Sequence, residues 1–444
     1  MNDAGNGYGK TQGYGRTLDR LFNGYLAMVS AVTLYLGYHN LRRADSYAIG
    51  DWLINYQGGF VRRGLPGECF FRLGHLIHTP PEYLVLATQY ALYALIYIGV
   101  WKLVRGTAWG VWATALAFSQ VTLGYMVVAV DGNFRKEILF FAALSWLLLL
   151  LDREWFSDLA AGVYLTIVTA ILLLSHEGMI VYWPYFLAAV AISRKSFART
   201  LAICAVPGSL ALVLSKIISG HMGNLSTARA ICTSLGGHLG EFGQGICGGG
   251  ILFLTVKDAA FRQLVVGLNA GGRYVEFYGF MGLLALLPCI LGFVSLYRDS
   301  RTRRDVQCLL LWTAVSMLAS TVLFVYAMDW GRYMHIHIFI LMCLLFYIER
   351  RHAKRGASEP ERRPRAAWLA GRHGWLYALA MFLYLTTWNL PSYGGLGLPH
   401  YGYYERIYSY AAERVKQHRV KQHRGPIAVA KPHDARRWEA SKRA

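Results

Sequence analysis

The chain has few charged residues for its length. Asp, Glu, Lys and Arg make up 16% of its 444 residues, whereas apolar residues make up 55%. A soluble chain of this length usually has about a quarter of its residues charged. Apolar runs of about 17 to 25 residues recur here, and runs of that length cross a hydrocarbon layer about 30 Å thick as helices. The sequence therefore excludes an ordinary soluble protein and predicts an all-α, polytopic transmembrane protein.

Several missing motifs exclude further classes. The seven cysteines include no CxxC pair, so a structural zinc site is not predicted. The glycine-rich stretch 234–250 lacks the GxxxxGK[ST] pattern of a P-loop, and Ile180 breaks the HExxH pattern that His176 and Glu177 would begin. No nucleic-acid-binding motif accompanies the net charge of +20, so the basic residues are interpreted as membrane-topology signals.

The apolar pattern predicts eleven membrane spans. Their bounds are 19–41, 82–104, 107–130, 137–151, 158–175, 178–193, 197–218, 276–297, 307–328, 334–349 and 374–391. Residues 1–18 form a polar N-terminal tail without a cleavable signal peptide, 19–391 the membrane domain and 392–444 a basic C-terminal tail. The longest connections within the membrane domain are 42–81 and 219–275.

Two basic connections set the predicted orientation. "YRDSRTRRD" (297–305) and "ERRHAKRGASEPERRPR" (349–365) are the most positive linkers, and the positive-inside rule assigns both to the cytoplasm. The N-terminal tail is then cytoplasmic as well. The C-terminal tail, with its tandem "VKQHRVKQHR" (415–424), lies outside despite its charge unless one span is miscounted.

This orientation collects mixed charges on the outer face. The outward connections are "DWLINYQGGFVRRGLPGECFFRLG" (51–74), "DGNFRKE" (131–137), "SHEG" (175–178), the long loop 219–275 and "DWGRYMH" (329–335). Ionisable groups at a membrane boundary are costly and mark functional sites by default. The alternative is that these residues pair with one another and hold the helix ends together.

Arg62 and Arg63 are the sharpest feature of this face. Arginine binds phosphate oxygens through two parallel hydrogen bonds. The four glycines within 58–67 permit a backbone turn that approaches a ligand closely. This combination favours the diphosphate of a lipid carrier. An interfacial helix with snorkelling arginines is the alternative.

Other outward connections supply further candidate binding residues. Arg135 and Lys136 stand at a helix start, where cations oppose the helix dipole, and an anionic ligand would explain them. Arg332 and Asp329 are three residues apart, so either they contribute to the same binding site or they form a local salt bridge.

Four residues are candidates for proton transfer. Asp51, Asp131 and Glu177 are possible general bases for an attacking hydroxyl, and His176 is the neighbour that would orient Glu177. The alternatives are helix caps for the aspartates and a buried ion pair at a helix break for His176 and Glu177.

Cys232 and Cys247 lie together in the outward loop 219–275. Because disulfides form in oxidising compartments, we expect a disulfide between them.

The architecture across residues 19–391 resembles bacterial envelope-glycan enzymes that use polyprenyl-phosphate-linked sugars. In GT-C-type glycosyltransferases, an acidic residue lies in the first outward loop and a second outward turn joins helices three and four. Asp51 and "DGNFRKE" occupy those places here. O-antigen-type polysaccharide polymerases have arginines in outward loops, as Arg62 and Arg63 would be. The chain departs from the GT-C pattern in having neither an Asp–Asp pair in the first loop nor a soluble outer domain.

The resemblance implies an enzyme of the bacterial inner membrane. It would transfer glycosyl units from a polyprenyl-(di)phosphate-linked donor to a glycan or lipid acceptor at the periplasmic face. The cations would neutralise the leaving phosphate, and Asp51 would be the first choice as base. Its partners would be the donor, membrane lipids and the acceptor, with no nucleic acid. No cofactor is required, and a divalent metal is optional.

Two other function classes stay open. Charges within broken apolar runs are also typical of transporters of small or anionic solutes, although the two halves show no repeat. A non-catalytic scaffold of an envelope complex would tolerate the loss of Arg62 and Arg63, whereas the enzyme would not.

Overall fold

The computed structural model of the chain describes residues 3–129, 132–240, 243–256, 258–269, 272–355, 369 and 373–392. All regular structure in these residues is helical, and they contain no strand. The predicted all-α class is therefore confirmed. The predicted basic tail after Ser392 and the candidate base Asp131 lie outside the described residues.

Fifteen α-helices are numbered here in chain order within the described ranges. They are α1 (Asp3–Arg42), α2 (Leu65–Ile77), α3 (Pro81–Val104), α4 (Val111–Phe118), α5 (Tyr125–Val128), α6 (Glu137–Leu150), α7 (Asp158–Ser175), α8 (Pro184–Arg194), α9 (Phe197–Ser219), α10 (Leu225–Ser234), α11 (Asp258–Leu268), α12 (Arg273–Tyr297), α13 (Arg303–Tyr326), α14 (Trp330–Arg355) and α15 (Gly374–Thr386). Four short 3₁₀ turns and one π turn join them; these are Gly50–Leu53, Gln120–Gly124 (π), Glu177–Tyr182, Ile246–Gly248 and Leu252–Thr255.

Eight helical segments of the described chain are long and apolar enough to cross a membrane. They are Gly13–Arg42, Pro81–Val104, Val111–Val128, Asp158–Ser175, Phe197–Ser219, Tyr274–Tyr297, Arg303–Tyr326 and Trp330–Ala353. The helices α6 and α15 are apolar but shorter. Each therefore covers less of the hydrocarbon thickness than a full span does. These lengths fit a multi-pass membrane protein.

The centre of the helical bundle is α14. Of its apolar window 94% is buried, whereas the corresponding share is 22% for α13 and 28% for α9. A helix that is apolar all round and buried all round lies inside a bundle, and helices with exposed apolar faces lie at its perimeter. The first turns of α14 therefore meet several neighbouring helices at one end of the bundle.

Two predicted spans have a different internal structure. The predicted span 107–130 is interrupted after α4, where Thr122 departs from helical geometry inside the π turn Gln120–Gly124. The hydroxyl of Ser119 accepts a hydrogen bond from the Val121 N–H at this break. The predicted span 178–193 begins as the 3₁₀ turn Glu177–Tyr182 before α8. Apolar composition does not reveal either break, because apolar residues occur on both sides of it.

A small cap covers one end of the bundle. We define the outer cap as residues 44–64 together with 219–240 and 243–256. Its core contains Ile54, Val61, Ile231 and Ile251, packed apart from the main core. The disulfide Cys232–Cys247 crosses this core, as predicted. The long connection 219–275 therefore folds over the segment that carries Arg62 and Arg63.

Candidate functional site

The arginine-bearing turn belongs to the outer cap and is hydrogen-bonded to the cap's second segment. The Arg62 N–H donates to the carbonyl of His221, 2.9 Å away. Arg63 adopts a left-handed backbone conformation with φ of 66°. This conformation is uncommon for a residue with a side chain and is kept only where the surroundings enforce it. Helix α2 begins two residues later at Leu65, with Pro66 in its first turn.

The turn before α6, residues 132–136, is hydrogen-bonded to the arginine-bearing turn. Phe134 also has a left-handed backbone, with φ of 53°. Its carbonyl accepts hydrogen bonds from the indole of Trp52 at 2.8 Å and from Gln89 at 3.3 Å. Lys136 Nζ then donates to the carbonyl of Arg63 at 3.0 Å. The two turns are thus joined through buried polar contacts.

Glu177 is the partner of both arginines. Arg63 donates from Nε and Nη2 to the Glu177 carboxylate at distances from 2.7 to 3.1 Å. Arg62 Nη1 donates to the same carboxylate at 3.2 Å. The 3₁₀ turn that begins at Glu177 is capped by His176, whose Nδ1 accepts from the Gly178 N–H at 3.1 Å. The break at "SHEG" therefore aims Glu177 at the first outward loop.

Asp51 and Glu137 continue the network on either side. Asp51 lies 3.9 Å from both Arg63 and Lys136. Glu137, in the first turn of α6, has its carboxylate 3.2 Å from Arg332 Nε and 4.0 Å from His176 Nε2.

Asp329 completes the network at the start of α14. Its carboxylate lies 3.1 Å from Arg332 Nη1. We call the ten residues of this network the ionic cluster; they are Asp51, Arg62, Arg63, Arg135, Lys136, Glu137, His176, Glu177, Asp329 and Arg332.

The ionic cluster borders a small cleft with a volume of about 10 Å³, which is room for about one water molecule. Its polar lining is Arg135, Glu137, Arg332 and His335. Its remaining lining is Met126, Gly132, Ile138 and Phe141. Charged groups thus meet an apolar wall in one cleft.

Burial and charge set the ionisation states outside the helices. Burial opposes ionisation of Asp51, but Lys136, Arg135 and Arg63 outweigh it and hold its pKa below the usual range. Burial likewise opposes ionisation of Glu177, and the Arg63 guanidinium nonetheless keeps its pKa well below the usual range. Both carboxylates are therefore charged at neutral pH.

Two further members of the ionic cluster outside the helices, Lys136 and His176, have lowered pKa values. Burial lowers the pKa of Lys136 to about 8, against the attraction of Asp51. Burial, reinforced by Arg63, lowers the pKa of His176 to about 4. At neutral pH Lys136 is therefore mostly charged and His176 is neutral. The ionic cluster has five cations and four carboxylates, an excess of one positive charge.

The structure brings together nine of the ten residues singled out from the sequence, and Asp131 is the one outside its described ranges. Arg135 joins the others through the cleft, where its guanidinium lies 4.8 Å from the centre of the Tyr47 ring. Asp45, a neighbouring carboxylate, has a local role, because it accepts from the N–H groups of Tyr47 and Ala48. The ion pairs of the cluster also agree with the alternative interpretation, in which these residues pair with one another and hold the helix ends together. The paired charges and the candidate ligand site are at the same place.

Sequence reasoning missed two residues of the cleft. Glu137 was counted within "DGNFRKE" without a role, because a carboxylate in the first turn of a helix is ordinary. His335 was not selected, although it follows Arg332 by three residues. That spacing puts both residues on one face of α14, and it is the signal that points to His335.

The described residues contain no group of three or more His, Cys, Asp or Glu arranged to hold a metal ion. Comparisons with protein-family models, curated proteins and solved structures find no match to this chain. The functional argument therefore depends on the geometry of the ionic cluster and the cleft.

Proposed function

We propose that this protein is a glycosyltransferase or polysaccharide polymerase of the bacterial inner membrane. It transfers a glycosyl unit from a polyprenyl-(di)phosphate-linked donor to an acceptor hydroxyl at the periplasmic face, in the synthesis of a cell-envelope glycan. In this proposal the chain crosses the membrane eleven times, with α6, α8 and α15 as short crossings, and its N-terminus is cytoplasmic.

One observation carries the proposal: five cations from three separate connections lie together beside one cleft. Arg62 and Arg63 come from the first outward loop, Arg135 and Lys136 from the turn before α6, and Arg332 from the start of α14. A fourth connection supplies Glu177, the counter-ion that Arg62 and Arg63 share. Burying this much charge is costly, and a helix bundle has cheaper ways to join its ends. Binding of a phosphate-bearing ligand is the simplest explanation for so many buried cations.

The cleft suits a lipid-linked phosphate in particular. Arg135 and Arg332 offer guanidinium groups for phosphate oxygens. Met126, Ile138 and Phe141 offer apolar contacts beside them for the start of a polyprenyl chain. A ligand larger than a water molecule requires these side chains to move apart, because all three are buried. A phosphate joined directly to an apolar chain needs both surfaces next to each other.

The cations would act on the leaving group. As the bond between sugar and phosphate breaks, negative charge grows on the phosphate oxygen, and fixed guanidinium groups stabilise that charge. Asp51 is 1% exposed, and neither it nor Glu177 is among the residues that line the cleft. We therefore assign both carboxylates to holding Lys136, Arg62 and Arg63 in place. The proton acceptor is then a residue that lines the cleft.

The disulfide supports an outward-facing site. Cys232–Cys247 lies in the outer cap, and the Gly250 N–H contacts the carbonyl of Ser46, five residues before Asp51. Disulfides persist in oxidising compartments such as the periplasm. The cap, and the ionic cluster beneath it, would then face the periplasm.

The test is mass spectrometry of polyprenyl-linked glycans from a deletion strain complemented with variants. Complete single repeats that accumulate in the deletion strain would identify a polymerase, and repeats that lack one sugar would identify a single-sugar transferase. Arg63→Ala should fail to restore the wild-type profile. Arg72→Ala is the matched control, because Arg72 is in the same loop but its side chain is 78% exposed and pairs only with Glu68.

Two results would contradict the proposal. An unchanged glycan profile in the deletion strain would remove the glycan function. Full restoration by Arg63→Ala would mean that the arginines only anchor the loop, as the alternative of charge pairing holds.

A further inference from the structure

His335 is a buried histidine in the wall of the cleft. It lies in the second turn of α14 and is 2% exposed. Within the cleft it is a neighbour of Arg135, Glu137 and Arg332. It is thus a polar group that the proposed binding of phosphate does not use.

A backbone contact determines which ring nitrogen carries the proton. His335 Nδ1 lies 2.7 Å from the carbonyl oxygen of Val121. A carbonyl only accepts hydrogen bonds, so Nδ1 must hold the hydrogen. In the neutral ring, Nε2 therefore carries the lone pair. Across the described part of the chain, this Nε2 is buried and has no hydrogen-bond partner.

The ring is fixed on several sides. Val121 belongs to the π turn Gln120–Gly124, which breaks the third predicted span. Tyr125 stacks on the imidazole with ring centres 4.3 Å apart, and Phe141 meets it edge-on at 5.4 Å. Interruptions of this kind recur at functional sites. Here the interruption presents a carbonyl that a continuous helix would have used internally.

Glu137, the other proton acceptor in the cleft, is less suited to that role. Its carboxylate lies 3.2 Å from Arg332 Nε and faces the His176 Nε2–H at 4.0 Å. His176 Nε2 holds the hydrogen, since His176 Nδ1 accepts from Gly178. A carboxylate held between a cation and a donor is stabilised in its charged form, so accepting a proton would cost it these interactions. It is, however, well placed to stabilise a positive charge nearby.

We infer that His335 is the catalytic base of the proposed transfer, with Nε2 accepting the proton of the acceptor hydroxyl. As that hydroxyl oxygen forms its bond to the anomeric carbon, the bond from this carbon to the phosphate oxygen breaks. The electron pair leaves with the phosphate, and the hydroxyl proton moves to Nε2. Glu137 stabilises the imidazolium, which later returns its proton to solvent or to the released phosphate. This inference rests on the proposed function.

The test uses the purified full-length protein in detergent, with lipid-linked glycan extracted from the deletion strain as donor. In His335→Asn, the introduced amide is able to keep donating to the Val121 carbonyl but offers no basic nitrogen. We expect donor binding within about 2-fold of wild type and transfer slowed by about 100-fold or more. The loss of transfer rate towards acid pH, which wild type should show, should disappear in the variant.

The matched control is His337→Asn, two residues further along the same helix. His337 is also buried, but its nitrogens pair with the hydroxyls of Tyr185 and Ser320, and it does not line the cleft. We expect it to lower thermal stability while keeping the wild-type pH dependence. The charged and titratable groups that face His335 are Arg135, Glu137, Arg332 and Tyr125. Arg332→Gln should therefore weaken donor binding, unlike His335→Asn.

The outcomes distinguish a failure of His335 as the base from a failure of the proposed glycosyl transfer. If wild type transfers sugar and His335→Asn does so at a similar rate with the same pH profile, His335 is not the base and the proposed function stands. If wild type binds no donor and transfers nothing, both proposals fail. If added imidazole partly restores transfer to His335→Gly, the role of a base is supported, because a merely structural residue would not be rescued in this way.

Discussion

Arg63 and Glu177 lie 114 residues apart in the chain, and the arginine donates to both carboxylate oxygens at 2.9 and 2.7 Å. This pair joins the arginine-bearing turn to the break before α8. The same guanidinium lies 3.9 Å from Asp51, so one side chain couples two carboxylates.

Loss of this pair should destabilise the protein. Arg63→Ala leaves Glu177 with Arg62 and leaves Asp51 with Lys136, so the melting temperature in detergent should fall by several degrees. A double-mutant cycle with Glu177→Ala should give a coupling energy of about 1 to 3 kcal/mol. Arg72→Ala should change stability by less than about 1 kcal/mol, because the Arg72 guanidinium is exposed and Glu68 keeps its hydrogen bonds from Tyr56 and Gln57. A coupling energy near zero would mean that the two side chains act independently.

The neutral state of His176 should make stability depend on pH. Its pKa is about 4 in the folded protein, below the usual 6.5. Between these values the unfolded chain takes up a proton and the folded chain does not, so stability falls as the pH decreases from about 6.5 to about 4. The contribution of this group should approach about 1.4 kcal/mol per pH unit.

His176→Asn should flatten that dependence. Thermal melts of wild type and the variant at several pH values measure the difference, with His221→Asn in the exposed part of the outer cap as the control. Parallel melting curves for wild type and His176→Asn across pH 4 to 6.5 would contradict a neutral buried His176.

The disulfide should be detectable by counting thiols. The chain has seven cysteines, and five of them are free in the structure. Alkylation of the denatured protein, followed by intact mass, should give five adducts before reduction and seven after it. Because the bond closes a loop of 15 residues, Cys232→Ser with Cys247→Ser should cost about 3 kcal/mol. Seven adducts without reduction would show that the cysteines are not paired.

The close approach of α14 to the segment after α15 offers a steric test. A methyl group at Gly331 would overlap the carbonyl oxygen of Pro391. The Gly331 N–H also donates to the carbonyl of Ser392 at 3.2 Å. Gly331→Ala should therefore push residues 388–392 away from Arg332, lowering the melting temperature and donor binding. Gly279→Ala in α12, where a methyl group meets nothing within 4 Å, should change neither.

The same contact predicts the side on which the segment just after α15 lies. Since the Ser392 carbonyl accepts from the Gly331 N–H at the start of α14, residue 392 lies at the end of the bundle that carries the ionic cluster and the outer cap. Alkaline phosphatase fused after Ser392 should be active in the periplasm, and a fluorescent protein fused to the N-terminus should be fluorescent in the cytoplasm. An inactive fusion after Ser392 would place the site in the cytoplasm and overturn the proposed orientation.

The sequence by itself determined the class of protein, most helix positions, the disulfide partners Cys232 and Cys247, and most members of the ionic cluster. These features depend on local composition: apolar runs set helices, and charges between apolar runs must gather at helix ends. The bounds were close for α3, α7 and α9, which have long uninterrupted apolar runs. They were poorer where a predicted span is not a continuous α-helix, as at Ser119 and in the 3₁₀ turn Glu177–Tyr182.

Only the tertiary structure decided which charges meet. Glu177 reaches Arg63 across 114 residues, and no local pattern encodes that pairing. Glu137 resembled an ordinary first-turn carboxylate until α14 brought Arg332 against it. His335 resembled one more residue of an apolar helix until the π turn supplied the carbonyl of Val121. Ion pairs and tautomers depend on neighbours in space, whereas sequence periodicity reports only neighbours along a helix.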